Sequence, residues 1–404
     1  MRLTVRAKAE ALPCAVWLLL IARAVNRLGQ FSLPFLAVLI TTDFAASTAT
    51  AGLVVAAFGL ATIPSRLAGG RLADRIGRRR TILLGLTGCA VTQLGLAASA
   101  NLATATAFAI LLGLAYELYE PPSQAFIADT VEPGPRRVRA FNMLNAAFAI
   151  GGMGAGLLAA LLGRWDLRWL FVVDATSCLA CAVVIPFALS SDLRDPRQVR
   201  AARGDEACAV RPWHDRALLI MLSSGTVFAL VYLQVDIALP LALERTGFRA
   251  TDAGLLFTAS ALTTVAAQPV MRRGWLTGLS APAALALGHL FIATGMIGYS
   301  LASGFPAYLA ATVLWSLGEL LVMGRAFTVV ADLAPPGGAG RYLAVYGLSW
   351  GVAGVVAPVI GTQFLDHASP SVMWAAMAVV SLTQAGAQLL VVRRLVDAFE
   401  YQEP

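Results

Sequence analysis

The chain has 404 residues, of which 58% are hydrophobic and only 13% are charged. Soluble domains average roughly 25% charged residues, so this composition excludes an ordinary soluble protein and indicates a chain that lies mostly in an apolar solvent. The net charge of +7 would suit a nucleic-acid partner. The basic residues cluster in the short links between apolar runs, however, which is typical of membrane topology, and we expect no nucleic acid to bind.

Twelve mostly apolar runs are each long enough to cross a bilayer as a helix, which takes about 20 residues. They are too long and too uniformly apolar for the alternating strands of a membrane barrel. We therefore predict an all-α membrane protein with twelve transmembrane helices. In chain order the runs cover residues 14–38, 48–68, 81–100, 105–127, 141–163, 169–190, 216–240, 251–271, 281–301, 305–328, 342–364 and 371–392.

The links that carry most of the arginines alternate with links that carry few. The N-terminal segment and residues 66–80 and 194–216 are rich in basic residues, whereas Arg164 and Arg245 lie in sparse links. Positively charged links stay in the cytoplasm, so both termini are predicted to be cytoplasmic.

The first run carries a polar stripe. Its members are Arg23, Asn26, Arg27 and Gln30. Their spacing of three and four residues places all four on one face of a helix. Ionisable groups at membrane depth are costly and usually functional, so this face is a candidate site.

The link between the second and third runs reads GGRLADRIGRRR and holds five arginines and a single acid, Asp74. Gly70 and Gly77 permit a tight turn between closely packed helices. The arginines can serve topology alone, but a lone aspartate contributes nothing to it, so Asp74 is expected to have another role.

The fourth run carries Glu117, Glu120 and Gln124 on one predicted helical face. At ~1.5 Å per residue, Glu117 and Arg23 both lie roughly 15 Å from the cytoplasmic ends of their runs. We expect Arg23 or Arg27 to pair with Glu117 or Glu120. The pair is either permanent and merely self-neutralising, or a proton or substrate switch in which an arginine lowers the pKa of the carboxylate and desolvation raises it.

The fifth run contains a glycine-rich face at Gly152 and Gly156, predicted to allow close helix contact, as is Gly347 in the eleventh run. The sixth run holds a CxxC at Cys178 and Cys181. A second cysteine pair and a nearby histidine are missing from the sequence, so we interpret these cysteines as small residues of a membrane helix and expect no metal and no cofactor.

The second half of the chain repeats the first. An Ala-Asp pair at 128–129 returns at 331–332, and Gly52 returns as Gly254. The nearly constant offset predicts two six-helix bundles with the same orientation, at residues 1–190 and 214–404. The arginine-rich residues 191–213 form a cytoplasmic linker between them.

The link GGRLADRIGRRRTIL resembles the signature that the major facilitator superfamily carries between its second and third helices. The matching residues are Gly70, Leu72, Asp74, Arg75, Gly77, Arg78 and Arg79. The segments YEPPSQAFIAD and GELLVMGRAF resemble the bacterial drug:proton antiporter branch, which lies in the inner membrane. The parallel repeat of that superfamily is a known example of such architecture.

The resemblance implies roles for particular residues. Asp74 would meet the positive N-terminus of a helix in the other half, and Arg78 would pair with Asp129. Together with Gly70, Arg75 and Gly77 they would form a cytoplasmic gating motif. Many relatives carry an arginine in the fourth span, where this chain has glutamates, and the antiporter signature has a proline at the position of Gly152, which puts strict antiport in doubt.

The tenth run contributes Glu319, the counterpart of the acids in the fourth run, and we assign it as the best candidate for a proton or cation site. Arg325 lies six residues on, and its direct pairing with Glu319 is doubtful. Asp174 and Asp236 lie nearer the predicted external ends of their runs, where structural or gating roles are expected. His289 is expected to be a packed polar residue.

These features together predict a secondary transporter that works by alternating access. It would export hydrophobic or amphipathic small molecules against proton influx, as a monomer whose partners are its solute, protons and membrane lipid. An uptake or metabolite porter of the same fold and a membrane sensor or scaffold that transports nothing remain open. A membrane enzyme has no nucleophile–base motif to support it.

Overall fold

The computed structural model describes most of the chain. The described residues are 13–29, 31–120, 122–123, 126, 130, 151–152, 154–188, 212–271, 278–334 and 339–392. They are almost entirely helical, and strands are absent from this part of the chain. The predicted all-α class is confirmed.

The described helices are numbered in chain order. They are α1 (Cys14–Gly29), α2 (Leu36–Asp43), α3 (Thr48–Ile76), α4 (Arg78–Ala97), α5 (Leu102–Tyr116), α6 (Arg168–Ala188), α7 (Arg216–Arg245), α8 (Ala253–Met271), α9 (Ala281–Leu301), α10 (Phe305–Asp332), α11 (Ala339–His367) and α12 (Pro370–Ala387). Residues 154–162 are also helical. Short 3-10 helices occur at Leu33–Phe35, Pro212–His214 and Ala250–Asp252, and a π-helical turn occupies Gln388–Val392.

Within the described residues, nine helices are long and apolar enough to cross a membrane. They correspond to nine of the twelve predicted runs. The first run is divided between α1 and α2, the fourth is represented by the shorter α5, and much of the fifth lies outside the described residues. The chain is thus a multi-pass membrane protein.

The first run is broken where a continuous helix was predicted. Helix α1 ends at Gly29, a 3-10 turn spans Leu33–Phe35, and α2 begins at Leu36. Pro34 lies in the turn. Proline has no N–H to donate and disfavours a helical conformation in the residue before it, so a break here has a simple cause.

The fourth run departs from the prediction in the same way. Helix α5 ends at Tyr116, and residues 117–119 form a turn. Pro121 and Pro122 follow almost at once, and they remove the N–H groups that a continuing helix would need. Glu117 and Glu120 therefore do not share one face of an unbroken helix.

The chain forms two compact units. The first comprises Met1–Ala46 and Ala57–Gly204, and the second comprises Ser47–Ala56 and Asp205–Pro404. In the first unit α6 packs against both α1 and α4, and α4 also packs against α5. In the second unit α9 packs against α10 and α12, α7 against α11, and α8 against α10.

Close contact between α9 and α10 depends on two glycines. A Cβ atom on Gly318 would lie 2.5 Å from the carbonyl oxygen of Gly288, and one on Gly288 would lie 3.0 Å from that of Gly318. Among the described residues, a Cβ atom on Gly152 or Gly347 would meet nothing within 4 Å, so no close helix contact is described at these two positions. In the first unit the close approach falls at Gly151 instead, where a Cβ atom would lie 2.8 Å from the carbonyl oxygen of Ala24.

Candidate functional site

The first unit contains an ion pair between Arg23 of α1 and Glu120, just beyond α5. Arg23 is buried, and the Glu120 side chain is 21% exposed. The sequence left open which of Arg23 and Arg27 pairs with which of Glu117 and Glu120, and the structure shows the pairing of Arg23 with Glu120. The turn after Tyr116 carries the Glu120 carboxylate to the guanidinium although the helix has ended.

Polar contacts continue inward from this pair. The Arg23 guanidinium lies 4.8 Å from the centre of the Tyr119 ring, where a cation and an aromatic face attract. The Tyr119 hydroxyl donates to the Asn26 side-chain oxygen at 3.0 Å. The Asn26 amide in turn donates to Cys178 Sγ at 3.3 Å. Asn26 was predicted as part of the site, whereas Tyr119 was not singled out.

A second carboxyl lies further along the same bundle. Asp174 of α6 is completely buried, and Ser32 Oγ donates to its Oδ2 atom at 2.6 Å. Cys178 Sγ lies 3.9 Å from its Oδ1 atom. The contact could not be foreseen from the sequence, because a single serine in an apolar run is common in membrane helices. The CxxC cysteines are free thiols.

The structure also describes two other predicted residues of the first unit, and one of them, Glu117, interacts electrostatically with both Arg23 and Glu120. Arg27 is exposed, with its side-chain carbons next to Gly151, and Glu117 is half-buried in the turn after α5. Gln30 and Gln124 lie outside the described residues.

The candidates of the second unit lie on α10. Glu319 and Arg325 are both half-buried. Arg325 donates to the carbonyl oxygen of Leu279 at 3.4 Å. One turn before Glu319, the buried Ser316 donates to Ser260 of α8 at 2.8 Å, so the polar face of α10 packs on α8. His289 is buried edge-on to Phe228, as expected for a packed residue.

The gating motif forms a one-residue link between two long helices. Gly77 alone separates α3 from α4, and its φ of 91° lies in the left-handed region that favours glycine. Arg75 is exposed at the end of α3, and Arg78 is half-buried at the start of α4. Asp129 and the side chain of Asp74 lie outside the described residues, as does the expected pairing of Arg78 with Asp129.

Arg168, at the start of α6, contacts the ends of two other helices. Its guanidinium is 2.7 Å from the Asp43 carboxylate at the end of α2. It also donates to the carbonyl oxygens of Ala97 and Ser99 at 2.9 and 3.0 Å. The ends of α2 and α4 and the start of α6 therefore share one end of the first unit.

A cluster that the sequence did not indicate lies in the second unit. Asp366, near the end of α11, accepts the backbone N–H of Ala49 at 2.8 Å. Arg245 donates to Asp366 at 3.3 Å and to the Thr48 hydroxyl at 2.8 Å. The carboxylate thus caps the positive N-terminus of α3. We call Thr48, Ala49, Arg245 and Asp366 the α3 cap.

The start of α7 is fixed by a further carboxylate. Asp215 accepts the backbone N–H of Ala217 at 2.8 Å and the Tyr342 hydroxyl at 2.7 Å. Burial, together with the hydrogen bond to Asp215, raises the pKa of Tyr342 to about 12. The phenol therefore stays protonated and keeps donating to the carboxylate, which joins α11 to the first turn of α7.

Within the part of the chain that the structure describes, no group of three His, Cys, Asp or Glu residues could hold a metal ion. The ionisable groups instead form pairs and caps within helix bundles.

The Major Facilitator Superfamily model matches residues 19–249, more than half of the chain. The chain belongs to the major facilitator superfamily. Membership confirms the family predicted from the link between α3 and α4. It also makes the protein a member of a transporter family and not an enzyme.

Three relatives in this superfamily align with most of the chain. An uncharacterized MFS-type transporter of Bacillus subtilis (strain 168), YqjV, is 27% identical over 87% of this chain and 86% of its own. A Na(+), Li(+), K(+)/H(+) antiporter of Planococcus maritimus is 25% identical over 81% and 83%. The multidrug resistance protein MdtH of Aeromonas salmonicida (strain A449) is 24% identical over 82% and 84%.

Solved structures share the fold. The crystal structure of a peptide transporter POT in complex with sulfate superposes with a TM-score of 0.77 over 95% of both chains, at 16% identity. At this identity the likeness establishes the major facilitator fold and says nothing about the solute.

Proposed function

We propose that this protein is a proton-coupled secondary transporter that exports hydrophobic or amphipathic small molecules by alternating access. The observation that carries the proposal is the Arg23–Glu120 ion pair inside an apolar helix bundle. We further propose that it acts as a monomer in the inner membrane of a bacterium, with both termini in the cytoplasm.

The ion pair supports coupling to protons for an electrostatic reason. Charges inside a membrane protein are costly, so a carboxylate at this depth is rarely retained without a function. In general a nearby cation favours the ionised form of a carboxylate, whereas loss of surrounding water favours the protonated form. A change in access to water can therefore load or release a proton at Glu120, and protonation would release Arg23 from its partner.

The names of two relatives support export. One is a multidrug resistance protein and another is a cation/H(+) antiporter. Resistance by a membrane transporter is typical of removal from the cell, and exchange against H(+) uses the gradient that we propose here.

In the second unit we propose Glu319 as a further proton or cation-substrate site, with Arg325 nearby on the same helix. Both side chains are half-buried on α10, whose polar face includes the buried Ser316. Arg27 and Glu117 are proposed to take part in solute or proton binding in the first unit.

The gating motif is proposed to set the rate of the change between inward and outward access. Gly77 holds α3 and α4 at a one-residue link, so a charge contact at Asp74 or Arg78 would act directly on both helices. We expect Asp74→Asn to slow transport while leaving solute affinity unchanged. A rate equal to that of the unmodified protein would contradict this role.

The experiment that tests the function uses the purified protein reconstituted in lipid vesicles. Uptake of a panel of lipophilic dyes and cations is measured with an imposed pH gradient, with the reversed gradient and with none. Glu120→Gln and Glu319→Gln are compared with Asp166→Asn, which makes the same carboxylate-to-amide change at an exposed turn.

We expect transport of at least one compound against its gradient, driven by protons moving the other way, and its loss in Glu120→Gln but not in Asp166→Asn. Co-transport of solute and protons in one direction would instead identify an uptake porter. Binding of compounds without movement under any gradient would favour a sensor or scaffold.

A further inference from the structure

Asp174 is a buried acid of the first unit that is not a member of the Arg23–Glu120 ion pair. Its side chain is completely buried in α6. Two neutral groups hydrogen-bond its carboxyl within the described part of the chain, the Ser32 hydroxyl at 2.6 Å and the Cys178 thiol at 3.9 Å, and the Gln93 side chain lies nearby. A buried carboxyl surrounded by neutral donors can exist in either protonation state, at a cost that depends on its surroundings.

The charged and titratable groups around Asp174 come from four helices. From α5, Tyr116 faces it. From α1, Arg27 attracts the carboxylate electrostatically. From α4, Cys89 faces it, and from its own helix Cys178 and Cys181 do so. The attraction from Arg27 favours the ionised form and burial favours the neutral form, so opposing influences act on one proton.

A chain of polar contacts joins Asp174 to the ion pair. Cys178 links the Asp174 carboxyl to the amide of Asn26, and Asn26 accepts a hydrogen bond from Tyr119. Tyr119 in turn lies against Arg23, which pairs with Glu120. All of these residues belong to the first unit. In a water-poor interior such connected contacts polarise one another, so a change of charge at one end alters the balance at the other.

We propose that Asp174 is a second proton-binding site, coupled to Glu120 through Cys178, Asn26 and Tyr119. One proton from water binds to the Asp174 carboxylate, whose two oxygens accept hydrogen bonds from Ser32 and Cys178, and the same proton returns to water on release. The role of this site in transport depends on the proposed function. Its protonation does not, and can be measured without transport.

The test is infrared difference spectroscopy of the purified protein in lipid, titrated with acid and base and with no solute added. A protonated buried carboxyl gives a C=O stretching band. We expect such a band to appear and disappear with pH in the unmodified protein and to be missing in Asp174→Asn. Asp166→Asn removes an exposed carboxyl and should leave the band in place.

Two further variants test the surroundings of Asp174. Ser32→Ala removes the shortest hydrogen bond to the carboxyl and should move the band in frequency, because the stretch depends on hydrogen bonding. It also provides the readout if Asp174→Asn does not fold. Glu120→Gln removes the charge at the far end of this series of polar contacts and should shift the pH midpoint of the Asp174 band.

Three results would overturn the proposal: a band that survives in Asp174→Asn, a band that does not respond to Ser32→Ala, or a carboxyl whose protonation is constant wherever the protein stays folded. An unchanged midpoint in Glu120→Gln would refute the coupling. A pH-responsive Asp174 in a protein whose transport ignores the pH gradient would leave this site standing while the proposed function fails.

Discussion

At the scale of single residues, the cost of burying charge is the main constraint on this molecule. Arg23 is buried in an apolar bundle, and its positive charge is balanced by Glu120. Removal of one partner leaves the other charge uncompensated, which is more damaging than replacement of both.

This asymmetry predicts the outcome of a double-mutant cycle. Arg23→Gln and Glu120→Gln should each lower the free energy of unfolding, and the double variant should lose less than the sum. A coupling energy of about 1–3 kcal/mol is expected, toward the lower end because the Glu120 side chain is 21% exposed. Unfolding in mixed detergent micelles measures it. Strict additivity would show that the pair contributes nothing.

A second residue-scale prediction concerns Gly77, whose φ of 91° is unfavourable for side chains. Gly77→Ala should lower the free energy of unfolding by about 1–2 kcal/mol, because a Cβ atom is strained in this conformation. Gly77→Asn should cost about as much, since the ψ of 153° lies outside the left-handed helical region that asparagine tolerates and in one that essentially only glycine occupies. Equal stability of the alanine variant and the unmodified protein would contradict the geometry.

At the scale of elements, the contact between α9 and α10 predicts opposite effects for two glycines on one helix. Gly318→Ala should destabilise by about 1–3 kcal/mol, because the added carbon overlaps the Gly288 carbonyl. Gly324→Ala meets nothing within 4 Å and should be neutral or stabilising by up to about 1 kcal/mol, since alanine is the better helix former. Thermal unfolding of the two variants side by side would show the contrast; indistinguishable midpoints would exclude the close packing.

The α3 cap gives a second element-scale prediction. Asp366→Ala removes the acceptor for the Ala49 N–H and the partner of Arg245. The loss should be about 1 kcal/mol of unfolding free energy, the usual value of an anionic cap at a helix start. It should shrink at high salt, because the group is partly exposed. A salt-independent change would argue against the cap.

The sequence predicted the elements well where apolar runs were uninterrupted and poorly where proline intervened. Helices α7 to α12 follow their runs closely, since length and hydropathy suffice to define a membrane helix. The break at Pro34 and the turn before Pro121 were missed, although both prolines were visible. Apolar composition alone cannot distinguish a continuous helix from one that stops within a run.

At the scale of the whole molecule, the family match and the likeness to solved structures agree on the major facilitator fold. The gating motif is present in the first half alone, since the corresponding segment QPVMRRGWLTG has no acid. If Asp74 controls the change of access, the two halves contribute unequally to it. The family could be recognised from this motif because so many of its residue types are specified together.

The candidate site was only partly predictable. Helical spacing identified Arg23 and Asn26 as candidates. Their estimated depth predicted that Glu117 or Glu120 would be the partner of Arg23. Tyr119, Ser32 and Asp366 escaped notice because aromatic, hydroxyl and helix-end residues are common throughout membrane helices. Their contacts depend on which helices are neighbours, and this information resides in tertiary packing and not in local sequence.

The central claim is that Glu120 couples solute movement to proton movement. The most direct measurement records the pH inside reconstituted vesicles with a trapped fluorescent indicator while a transported compound is added outside, with no initial pH gradient. The account predicts a change of internal pH opposite in direction to the solute, absent in Glu120→Gln and retained in Asp166→Asn. Solute movement with no change of internal pH, or a change undiminished in Glu120→Gln, would contradict it.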